Sequence, residues 1–121
     1  KASSHTYVPK GVKILDIGCG FGESIGYHED RNCEAYGIEA DNNVRKIIDK
    51  FGFNIKIGLF DKDLFEKSYF DYVTMDQVLE HSVDPIETLS GVNYILKPNG
   101  CLVISIPNSN SLLANLFKKR C

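Results

Sequence analysis

The segment Leu15-Asp16-Ile17-Gly18-Cys19-Gly20-Phe21-Gly22 constrains this chain more than any other. Three glycines at alternate positions follow a β-rich run, Val12–Ile17, and precede a helix candidate at 22–30. Glycine tolerates positive φ and carries no side chain, so a ligand can approach the main chain closely. The helix that follows starts with free amide hydrogens and a partial positive charge. A turn of this kind holds a phosphate or a carboxylate.

Two details separate the possible ligands. The dinucleotide fingerprint G-x-G-x-x-G requires a glycine at position 23, where this chain has Glu23. Asp16 lies two residues before the first glycine, at the end of the predicted strand. A carboxylate there repels a pyrophosphate and suits an ammonium or another cation. Glu39 ends the second predicted strand, 23 positions after Asp16. An acid at about that distance from a glycine loop accepts hydrogen bonds from the two hydroxyls of a ribose. A ligand with both a ribose and an amino-acid zwitterion is S-adenosylmethionine. Cys19 has no base beside it in sequence and reads as a small residue filling a tight turn.

The rest of the chain sets this loop in an α/β frame. Short apolar runs at 12–17, 35–38, 54–57, 70–75 and 102–106 read as strands bounded by turn residues. Between them, Val44, Ile47, Ile48 and Phe51 form a helical stripe over 41–51, with Asp41 as cap and Gly52 as stop. Ile86, Leu89, Val92, Ile95 and Leu96 form another over 85–96, opened by Pro85 and closed by a turn at 97–100. A last helix is predicted over 109–118. Strands alternating with helices imply parallel pairing and right-handed crossovers. The expected fold is an open, doubly wound, mainly parallel sheet, with its binding crevice at the strands' C-terminal ends.

Composition narrows the class further. The 121 residues are 43% hydrophobic and 25% charged, which fits one core-bearing domain over 1–121. A net charge of -2 gives no nucleic-acid footprint, and Lys118-Lys119-Arg120 reads as a solvated tail. No apolar run approaches the roughly 18 residues of a membrane helix. Cys19, Cys33, Cys101 and Cys121 lack zinc-ligand spacing and read as free thiols, which points to the cytoplasm.

The segment LDIGCGFG resembles the first motif of class I S-adenosylmethionine-dependent methyltransferases. The stretch FDYVTMDQVLEHSVDPIETL and the later ILKPNGCLVISIPN resemble the fourth-strand to fifth-strand region of that family. The likeness runs from about Val12 to Asn108 and is closest to the branch that includes ubiquinone-biosynthesis O-methyltransferases. It implies a Rossmann-like sheet of order 3-2-1-4-5, with S-adenosyl-L-methionine as cofactor and S-adenosyl-L-homocysteine as product. By match, Asp16, Gly18, Cys19 and Gly20 hold the methionine part, and Gly22 allows the turn. Glu39 meets the ribose and Ala40 the adenine. Leu59 stands where the family often has Asp, which leaves the Phe60 amide and apolar packing for the adenine. Met75 and Asp76 match positions that line the cofactor.

Gln77, Glu80 and His81 occupy positions where some relatives bind a divalent metal, but Gln77 replaces the first carboxylate, and no metal is expected. No catalytic base and no methyl acceptor are singled out. The resemblance also implies that this is a core fragment truncated at both ends, without the family's last two strands. The fifth strand is then an exposed edge open to self-association. Two alternatives remain at this level: a non-catalytic S-adenosylmethionine-binding module, and an NAD-binding Rossmann enzyme, which Glu23 and Asp16 disfavour.

Overall fold

A computed structural model describes residues 4–76, 78–105 and the strand at 111–114. A short 3-10 turn, Ser4–Tyr7, precedes β1 (Lys13–Ile17), α1 (Glu23–Glu29), β2 (Glu34–Glu39), α2 (Arg45–Phe51) and β3 (Asn54–Ile57). There follow β4 (Phe70–Asp76), α3 (Pro85–Ile95), β5 (Leu96–Ser105) and β6 (Ser111–Ala114). The sheet order is β3-β2-β1-β4-β5-β6, with the first five strands parallel, as the βα alternation predicts. All the parallel strands therefore present their C-terminal ends along one edge. Among the described residues no helix is long and apolar enough to cross a membrane.

Period-two alternation in the strands builds two cores. On one face Leu15, Ile17, Ile38, Val73, Met75, Leu102 and Ile104 pack under Val92 and Ile95 of α3. On the other, Ile14, Ala35 and Ile55 pack under Val8, Ile25 and Val44. The helix ends follow the sequence signals. Asp84 accepts from the Glu87 amide at 3.1 Å and caps α3, with Pro85 in its first turn. Gly52 ends α2 at φ 71, its amide bonding the Ile48 carbonyl at 2.7 Å. Asp41 caps a 3-10 turn, Asn42–Val44, rather than the α-helix itself, which starts at Arg45.

Several expectations are corrected. Residues 111–114 form strand β6, antiparallel to β5 with Ser105 opposite Ser111 and Leu102 opposite Ala114, where a helix was expected. A short Ser-Leu-Leu-Ala run suits either structure by periodicity, and the unpaired backbone groups of β5 decide for the strand. Thus β5 is paired on both sides, and the self-association predicted from its bare edge loses its basis. The predicted turn at 97–100 is a bulge inside β5: four residues there stand against Asp71 alone, because Leu96 pairs with Phe70 and Cys101 with Tyr72. Ile86, placed in the buried stripe, is 74% exposed in the first turn of α3. Phe51 is 55% exposed and stacks on Phe53 instead of entering the core.

Candidate functional site

Gly18, Gly20 and Gly22 all take positive φ, at 77°, 61° and 92°. The loop is tied to the end of β2: the Gly18 and Cys19 amides both donate to the Ile38 carbonyl, at 2.8 and 3.0 Å. A Cβ on Gly18 would stand 2.5 Å from Val78 Cγ2, so the loop backbone lies directly under the chain that leaves β4. Cys19 points inward, where its sulfur would meet any Cβ on Gly37 at 2.5 Å. Burial, then the Asp16 and Glu39 carboxylates, push its thiol up to about 12. It is a packing residue with no nucleophilic character at neutral pH.

Glu39 joins the loop to the cleft. Its Oε1 accepts from the Gly20 amide at 2.8 Å and its Oε2 from the Asp41 amide at 2.9 Å. A carboxylate offers about four acceptor positions, so each oxygen keeps capacity for a ligand hydroxyl. Beside it opens a cleft of about 820 Å³ at the C-terminal ends of β1 to β4, bounded by the first turns of α3. Gly18, Glu39, Ala40, Leu59 and Phe60 line it. Leu59 is 80% exposed at its mouth. Phe60 reaches under α3 at Gly91, where a Cβ would come within 2.9 Å of its ring.

The cleft walls carry five carboxylates, on Glu39, Asp61, Asp63, Asp84 and Glu87. Against them stand Lys62, 3.1 Å from Asp63, and His81. This balance disfavours a diphosphate and suits a cation. His81 is exposed and its Nε2 lies 3.9 Å from Glu80 Oε2. Gln77 lies outside the described residues. A smaller hollow of about 360 Å³ beside β3, walled by Tyr36, Phe65 and Tyr69, contains none of the site residues expected from sequence.

The remaining expected residues gather away from the open cleft. Asp16 is 3% exposed and held at both oxygens: Ser24 Oγ donates to its Oδ2 at 2.5 Å and Thr74 Oγ1 to its Oδ1 at 2.9 Å. His5, from the N-terminal turn, places Nε2 3.4 Å from both Asp16 Oδ2 and Asp76 Oδ2. Its Nδ1 shares a 2.9 Å hydrogen bond with Nε2 of His28, which is fully buried on α1. Desolvation outweighs the His5 attraction and raises the Asp16 carboxyl to about 6. Burial, with help from His5 and Arg31, pushes His28 down to about 4, so it is neutral. Met75 has its side chain in the core rather than against the cleft, since alternation along β4 turns Thr74 and Asp76 toward Asp16 and Met75 away. Gly22 is buried against Phe53. Sequence reasoning missed His5, Ser24, His28 and Thr74. For Thr74 the signal was available, because β1–β4 pairing sets it opposite Asp16.

A family model described as a methyltransferase domain matches residues 4–120. A ubiquinone biosynthesis O-methyltransferase of Roseobacter denitrificans is 32% identical over 107 residues, covering 84% of this chain and 43% of that protein. A demethylmenaquinone methyltransferase of Staphylococcus saprophyticus is 31% identical over 104 residues, covering 79% of this chain and 45% of the relative. An S-adenosylmethionine-dependent methyltransferase structure from Mesorhizobium loti superposes with a TM-score of 0.70 at 22% identity, over 85% of this chain and 51% of that one. The chain spans about half the length of the curated relatives it matches.

Proposed function

Because the chain belongs to the methyltransferase-domain family, we propose that it binds S-adenosylmethionine in the cleft at the C-terminal ends of β1 to β4 and serves methyl transfer to a nucleophile. The observation that carries this is Glu39, fixed against the Gly20 amide at the lip of an 820 Å³ cleft with acceptor capacity to spare. The donor set fits the group: bare backbone at Gly18 and Gly20, a carboxylate for vicinal hydroxyls, and an acidic wall for a cationic ligand. Gly18 and Gly20 would take the amino-acid end, Glu39 the ribose, and Ala40, Leu59 and Phe60 the adenine. When bound, S-adenosylmethionine supplies a methyl on a sulfonium centre whose leaving group is a neutral thioether.

The chain's own contribution is positional. Gly18 and Gly22 let the loop turn tightly, and Asp16 anchors the first turn of α1 through Ser24. Val78, packed over Gly18, and Phe60, packed on Gly91, wall the cleft and limit water. Alignment and water exclusion are the main levers when little acid catalysis is needed. Calorimetric titration with S-adenosylhomocysteine and with NAD tests the assignment. We expect the first to bind and the second not to. Glu39→Ala should weaken S-adenosylhomocysteine binding by about 1–3 kcal/mol. Equal affinity in the variant, or a preference for NAD, would reject it.

A further inference from the structure

His5 has no role in the assignment above, yet it sits at the centre of a cluster of charged and polar groups. Two carboxylates from neighbouring strands, Asp16 of β1 and Asp76 of β4, converge on one imidazole nitrogen at 3.4 Å each. The imidazole comes from a separate segment, the turn Ser4–Tyr7, whose Ser4 amide also reaches Asp76 Oδ1 at 3.4 Å. Behind it stands the neutral His28, with Arg31 beyond. The other strands near this turn add little charge: β5 carries only Lys97 and Cys101, and β6 has no titratable residue. Among the described residues, Ser4 Oγ and His28 Nδ1 are buried without a hydrogen-bond partner, a costly condition for groups held in one fixed arrangement. The cluster abuts the glycine loop through Asp16 and Ser24, where the amino-acid end of the ligand would lie.

We propose that His5 is a positioning residue for the ammonium end of the ligand: it fills the gap between Asp16 and Asp76 when no ligand is bound, and yields the two carboxylates to the ammonium with release of a proton. This rests on the S-adenosylmethionine assignment and names the groups that serve one end of it. Burial raises the Asp16 carboxyl to about 6, so near pH 6 it still carries part of a proton beside the second carboxylate. A ligand ammonium placed between the two carboxylates replaces that proton. Because His5 lowers the Asp16 carboxyl, removing it lets Asp16 hold its proton to higher pH.

The test is calorimetry of the full chain with S-adenosylhomocysteine and with adenosine, in phosphate and in Tris, at pH 6 and 8. S-Adenosylhomocysteine should release a fraction of a proton, about one half, at pH 6 and little at pH 8. Adenosine, which lacks the ammonium, should bind without release at either pH. In His5→Gln the pH profile for S-adenosylhomocysteine should move to higher pH while adenosine binding stays unchanged. A merely structural role would weaken both ligands alike at every pH. An enthalpy independent of buffer at pH 6, or an unmoved profile in His5→Gln, overturns the proposal while adenosine binding leaves the cleft assignment standing. If neither ligand binds, both fall. If His5→Gln fails to fold, the ring signal of His5 in the unaltered chain decides: it should shift on saturation with S-adenosylhomocysteine and not with adenosine, and a stationary signal contradicts the proposal.

Discussion

The two ends of the site are built in opposite ways. The end around Glu39, Ala40, Leu59 and Phe60 is an open cleft whose residues lie at strand ends and are half-buried or exposed. The end around Asp16 is closed, its carboxylate buried and stitched in place by Ser24, Thr74, His5 and His28 from three other parts of the chain. On the proposed assignment the open end reads a ligand by shape and a few hydrogen bonds, with small cost to the fold. At the closed end a buried carboxylate and a buried imidazole bind protons at unusual pH, so the proposed ligand recognition and folding stability are coupled there.

Perturbing the seam between the two ends should have the largest effect. Gly18→Val forces a β-branched residue to φ 77 and drives its Cβ into Val78 at 2.5 Å. Strain of this kind costs about 1–3 kcal/mol before any repacking. Thermal unfolding should show a lower Tm, and binding to both ends should be lost together. A variant that keeps its Tm and still binds adenosine would break the seam between the halves as described here.

Acid stability separates the halves more finely. His28 has its folded pKa lowered to about 4 from an ordinary 6.5. Its contribution is therefore present above 6.5 and lost as pH falls toward 4. Asp16 has its folded pKa raised to about 6 from 3.8. Its proton uptake therefore stabilises the fold at low pH, and that gain is lost as pH rises through 6. The two slopes oppose each other over about pH 4–6 and mask one another in the unaltered chain. His28→Phe should grow more stable from pH 7 to 4.5 relative to the parent, and Asp16→Asn less stable, each by on the order of 2 kcal/mol. Urea titrations at the two pH values measure this. Parallel slopes in all three proteins would show that the closed end is not proton-linked.

What could be read in the sequence follows the same division. The glycine loop and Glu39 belong to one β-α-β unit, so the distance between them along the chain carries their meeting in space. Gly20 and Glu39 indeed meet at 2.8 Å. His5 and His28 meet only because the N-terminal turn folds across the ends of β1 and β4, and no local pattern encodes that contact. Asp16 stood out in the sequence beside the glycine loop, but its burial was not legible, since that depends on Thr74 lying opposite it in a strand 58 residues away. Ile86 and Phe51 followed a helical stripe and yet face outward, because α3 starts at the cleft and α2 ends at the sheet's edge. Strand β6 escaped because four residues give too little periodicity to separate strand from helix.

The most direct measurement is a crystal structure of the full chain grown with S-adenosylhomocysteine. The ribose should lie within hydrogen-bond distance of the Glu39 carboxylate, with the adenine between Ala40 and Leu59. Ligand density in the hollow beside Tyr36 and Tyr69 instead, with Glu39 still bonded only to the Gly20 and Asp41 amides, would contradict the assignment.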